Sequence, residues 1–159
     1  MPYTGHLISP NTRWLQAIAS RMDQRNIFWS HYLEQASRGD PVFIVGSNRD
    51  IILHTSINWL HREPLGKSRE KYAAALPIAE DETETPSALE ETGVAMFLEL
   101  KPVAPPLIIK TLGIDYRHSE VQPLSAEEVL AVLRALPPSS QTAWTQRVVA
   151  RSNDLRVDS

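Results

Sequence analysis

Apolar side chains return about every three to four places along the first quarter of the chain. Leu15, Ile18, Met22, Trp29, Tyr32 and Ala36 share one phase, broken only by Arg25. This spacing predicts one long amphipathic helix. Ser9 and Pro10 make a good cap and first-turn pair for it, and Gly39 followed by Pro41 makes a good stop. A break near Asn26 is compatible with the same pattern. Trp14, Phe28 and Leu33 widen the apolar stripe, so the helix is expected to cover a sheet or to meet a second copy of itself.

The period then shortens to two. In "PVFIVGSNRDIILHTSINWL" two β-branched runs flank "GSNRD", a cluster of residues that tolerate tight-turn dihedrals, which predicts a β-hairpin. Val42 to Val45 is apolar on both faces and reads as an interior strand. In the second strand Ile51, Leu53, Thr55 and Ile57 alternate with Ile52, His54, Ser56 and Asn58, so one face is expected to be wetter. Residues 61–92 carry no strand pattern and read as an irregular charged insertion, with short helical turns possible in "SREKYAAAL" and "SALEET". Strands resume with "VAMFLELK" and "PLIIKTL", separated by a turn containing Pro102 and Pro105.

Ser125 and Glu128 form a capping box ahead of Val129, Val132, Leu133 and Leu136, which predicts a helix. "PPSS" interrupts the chain, and a last helix is expected from about Ser140, with Trp144 and Val148 on one face and a frayed tail over 153–159. The resulting expectation is a single α+β domain over residues 1–159. It consists of an antiparallel sheet of about four strands packed against a long N-terminal helix and two C-terminal helices.

Composition narrows the chemistry. The 159 residues include no cysteine, which removes disulfides, thiolate metal sites and cysteine nucleophiles. No basic leader precedes an apolar core at the N-terminus, and no apolar run approaches the ~18 residues of a membrane span, so a cytoplasmic protein without membrane contact is expected. The net charge of -3 offers no global attraction to nucleic acid, although a local basic face could still provide one.

The charge is unevenly placed. Lys67, Arg69 and Lys71 are followed by Glu80, Asp81, Glu82 and Glu84, and no Lys or Arg occurs between Tyr72 and Leu100. Such an acidic run is a solvated loop, a surface read by a partner, or a cation site, and it lacks the alternating ligands and central Gly of a calcium loop. His54, His61 and Glu63 could hold a divalent metal only if a bulge near Asn58 turned one histidine to the other's face. Asp115 and His118 could act as an acid/base pair, but no nucleophile motif accompanies them. Gln146, Arg147 and Arg151 on the last helix are side chains suited to bases and phosphates.

With no convincing catalytic set, the expected function is a non-enzymatic protein-binding module. It would be an adaptor, inhibitor, immunity or chaperone-like factor, with no cofactor and no metal. It would act through Phe28, Trp29 and Tyr32 of the first helix or through the charged insertion. The alternatives are a nucleic-acid regulator using Gln146, Arg147 and Arg151, with a homodimer possible, and a small enzyme using His54, His61 and Glu63 or Asp115 and His118.

Overall fold

A computed structural model of the chain describes residues 5–30, 32–33, 36–64, 73–75, 91–140 and 145. In chain order the elements are β1 (Gly5–Ile8), α1 (Thr12–Ile18), β2 (Asn26–Ser30), β3 (Pro41–Val45), β4 (Asp50–Pro64), β5 (Glu91–Phe97), β6 (Lys101–Ile108), β7 (Val121–Leu124) and α2 (Ala126–Ala135). Short 3-10 turns lie at Ala73–Ala75, Ile109–Leu112 and Pro138–Ser140.

The strands form one seven-stranded sheet in the order β2-β5-β4-β3-β1-β7, with β6 paired to β4 off that path. β1 runs parallel to β3, whereas the other pairings are antiparallel. The sheet curls into a half-barrel. β4, at 15 residues, is its spine: the first half pairs with β3 and β6, and the second half pairs with β5.

This architecture corrects the expected four-stranded antiparallel sheet under a long N-terminal helix. The helix is only seven residues, capped by the Asn11 side chain, which accepts from the Trp14 N–H at 2.8 Å. Trp14 and Ile18, four residues apart, bury its inner face. The chain then turns at the point where a break was compatible with the pattern. The Asn26 amide donates to the carbonyls of Arg21 and Gln24, both at 3.1 Å, and so stabilises a turn in place of another helical one. From there "NIFWS" is a strand paired residue by residue with β5.

The hairpin is present as β3 and β4, and β3 is buried on both faces. β4 continues through Pro64 and β5 begins at Glu91, so both ends of the expected insertion are strand. β6 starts earlier than expected, at Lys101, and "IKTL" is a 3-10 turn. The capping-box helix is α2, with Ser125 and Glu128 exchanging both hydrogen bonds. Of the expected last helix only Thr145 is described, in helical conformation.

One apolar cluster lies on the α1 side of the sheet. There Trp14 meets Phe28 and Phe97 edge-on, at centroid distances of 5.9 and 6.5 Å. A second cluster joins β1, β3 and β4 to α2. A third, formed by Ile27, Val94 and Met96, packs with Ala75. No helix among the described residues is long and apolar enough to cross a membrane.

Candidate functional site

A concavity among the described residues lies where β4 changes partners. At Ile57 the strand leaves β3 and passes to β5, and the register slips between Ile57 and Trp59, so Asn58 is an extra residue. The same point is crossed by residues 98–100, which carry the chain from β5 to β6. They are pinned there by the Leu100 N–H to Met22 carbonyl bond at 2.7 Å and by the Thr55 hydroxyl donating to the Glu99 carbonyl at 2.6 Å. The Ser37–Asp40 turn closes the third side, with the Gly39 N–H bonded to the Ile57 carbonyl at 2.7 Å.

Together these segments enclose a cleft of about 390 Å³. Its chemistry has three parts. Two cations, Arg38 and Lys101, line it, and neither makes an ion pair or hydrogen bond through its side chain among the described residues. Thr55, Ser56 and Asn58 supply hydroxyl and amide groups, and Glu99 supplies one carboxylate. Leu98, 45% exposed, adds an apolar surface beside Ile57.

His54 also borders the cleft but is a structural staple. It is buried, and its Nε2 faces the Ser140 carbonyl at hydrogen-bonding distance, tying the Pro138–Ser140 turn to the sheet. Burial, first, and the Lys101 charge hold its pKa below the ordinary histidine value, with the Ser140 carbonyl opposing them. In the tautomer that donates from Nε2 the ring is neutral.

The slip at Asn58 does turn His61 to the side of the sheet that carries His54. Seven residues of strand nevertheless separate the two by roughly 20 Å. His61 is exposed, and its ring lies 4.7 Å from that of Trp59 at a 55° tilt. Glu63 sits on the β4 backbone opposite Thr92. No three His, Cys, Asp or Glu side chains gather to hold a metal among the described residues. The proposed metal set is therefore not assembled.

Asp115 and His118 lie in the loop before β7 without a hydrogen bond between them among the described residues. That loop is organised around other groups. Gln122 bridges the Asp115 carbonyl and the Arg117 N–H, both at 2.8 Å, and the His118 ring lies tilted against Tyr116, whose hydroxyl meets Ser9 Oγ at 2.6 Å.

Of the aromatic stripe, Phe28 is buried in the core, Trp29 is half-buried and Tyr32 is 66% exposed. Phe28 is thus a packing residue and no part of a surface. Lys67, Arg69, Lys71, Glu80, Asp81, Glu82 and Glu84 lie outside the described residues, as do Gln146, Arg147 and Arg151. The cleft residues Arg38, Thr55, Ser56, Asn58, Leu98 and Lys101 were not singled out by pattern. Their one signal is "HTSIN", a polar patch inside an otherwise apolar strand.

No family model matches the chain, and no curated protein matches it in sequence. Solved structures do match in shape. The ASCH protein of Zymomonas mobilis superposes with a TM-score of 0.66 at 12% identity, covering 84% of this chain and 96% of that one. The fold is similar to that of this ASCH protein. Two single-substitution variants of the same Zymomonas mobilis ASCH protein agree, one at a TM-score of 0.66, 12% identity and coverages of 84% and 99%. The other gives 0.62, 14% identity and coverages of 84% and 96%. At these identities the ASCH likeness establishes the architecture of the sheet and leaves the chemistry of the cleft to be argued from its own residues.

Proposed function

We propose that the cleft at the β4 crossover binds single-stranded nucleic acid, taking one unpaired nucleotide at a time. The observation that carries this reading is that two cations without an ion pair among the described residues, Arg38 and Lys101, share the cleft with an apolar surface at Leu98 and polar groups at Ser56 and Asn58. A nucleotide has the matching parts: an anionic phosphate, a base with an apolar face and polar edges, and a sugar. The volume suits it as well. About 390 Å³ is in the lower part of the range of small-ligand pockets, ~300 to 1,000 Å³, and excludes a duplex. Because the chain is acidic overall, attraction to phosphate needs a local cluster of cations, and this pair supplies one.

Fluorescence anisotropy with a short labelled single-stranded RNA, repeated across salt concentrations, tests the proposal. Each phosphate neutralised on a single strand contributes about 0.7 to the slope of log K against log salt, so replacing both Arg38 and Lys101 by alanine should flatten it by about 1.4. Each single replacement should weaken binding roughly fivefold, the equivalent of about 1 kcal/mol. Binding that ignores both substitutions would refute the assignment. Single-stranded DNA of the same sequence and the RNA duplex serve as comparisons, and the duplex should bind least.

A further inference from the structure

We propose that His6, buried in β1, is a positioning residue that fixes the Ser37–Asp40 turn through the Asp40 carboxylate and thereby sets where Arg38 stands in the cleft wall. The inference rests on the reading of the cleft as a nucleic-acid site. His6 is only 1% exposed, and its Nδ1 has no hydrogen-bond partner among the described residues. A polar nitrogen left bare in a core costs free energy, so its presence calls for a counterpart. The one charged group facing it among the described residues is Asp40, whose Oδ2 lies 3.9 Å from Nδ1.

Asp40 in turn organises the backbone around Arg38. Its Oδ2 accepts the Ser37 N–H at 2.8 Å, and its own N–H returns to the Ser37 carbonyl at 3.1 Å. Gly39 adopts φ +90°, a left-handed conformation that the tight turn needs and that glycine adopts without strain. The Ile57 N–H then reaches the Asp40 carbonyl at 3.0 Å, which latches the turn to β4. Arg38 thus projects from a four-residue turn held on both sides, with Asp40 as its common acceptor.

β1 packs closely beside this turn. A Cβ on Gly5 would stand 2.9 Å from the Pro41 carbonyl and 2.8 Å from Val129 Cγ2, so the strand lies hard against the chain that follows Asp40. Burial lowers the His6 pKa and so favours the neutral ring. A proton on Nδ1 would set an N–H dipole 3.9 Å from the carboxylate oxygen and favour its ionised form. Burial alone raises the Asp40 pKa and works against that form.

The test is a double-mutant cycle read by binding of the labelled single-stranded RNA. His6→Gln should weaken binding and flatten the salt dependence as Arg38→Ala does. Arg38→Ala should then add little in the His6→Gln background, whereas Lys101→Ala should add in full. A merely structural role for His6 would couple to both cations or to neither. If His6→Gln unfolds, Asp40→Asn takes its place. It keeps an oxygen for the Ser37 N–H, removes the charge facing His6, and should couple to Arg38 alone. RNA binding that depends on Arg38 and Lys101 but is additive with His6→Gln, or with Asp40→Asn where that variant is used, overturns the positioning role and spares the cleft. Absence of RNA binding by the wild-type protein overturns both.

Discussion

His54 illustrates how residue-level chemistry depends on depth. In the sequence it could join His61 in a metal pair only through a bulge, and in the fold it is buried against the Ser140 carbonyl while His61 is exposed beside Trp59. No periodicity could have foretold a partner 86 positions away. The same burial has a consequence for stability. His6 and His54 both have pKa values lowered from 6.5, so the unfolded chain binds more protons than the native one once the pH drops below that value. Stability should therefore be fully present above about pH 6.5 and fall as the pH is lowered, until the native histidines themselves protonate. Asp40, raised from 3.8, acts in the opposite sense but only nearer that more acidic value. Urea unfolding between pH 8 and 5 checks this. His54→Gln, whose amide can still donate to Ser140, should flatten the acid limb, and an unchanged pH dependence would count against a buried neutral His54.

At the scale of elements, what was legible was whatever announces itself locally. The capping box of α2 and the turn chemistry of "GSNRD" are short-range signals, and both elements are present. Replacing Ser125 by alanine should cost about 1 kcal/mol, seen as a lower urea midpoint at unchanged slope. The first helix was over-extended for a physical reason. Ile27 and Phe28 are buried on opposite faces of β2, so that strand shows no polar alternation, and a short apolar run of this kind fits a helical phase equally well. Asn26, with its two side-chain bonds to preceding carbonyls, decides the matter. Trp14 offers a check on the corrected architecture, because its indole donates to the Ile27 carbonyl at 2.9 Å across the turn and its ring meets Phe97 of β5. Trp14→Ala should destabilise the protein by roughly 3 to 5 kcal/mol. A loss near 1 kcal/mol would fit a helix surface and contradict a core that links α1, β2 and β5.

The whole molecule is where pattern runs out. β1 and β7 are four-residue strands that pair with each other across more than a hundred positions, and a strand of that length has too few residues to show a period. The parallel contact between β1 and β3 likewise leaves no local mark. The cleft inherits this non-locality, since its walls come from residues 38–39, 54–58 and 98–101, three stretches that meet only because β4 changes partners at Ile57. Its polar middle was visible as a wetter patch of the second hairpin strand, while the two cations looked like ordinary surface charges. The most direct measurement is a titration of ¹⁵N-labelled protein with single-stranded RNA, followed through backbone amide resonances. The account predicts salt-sensitive shifts concentrated at Arg38, Thr55 to Asn58 and Leu98 to Lys101. Shifts confined to the region of Gln146, Arg147 and Arg151 with the cleft silent, or no shifts at any concentration, would contradict it.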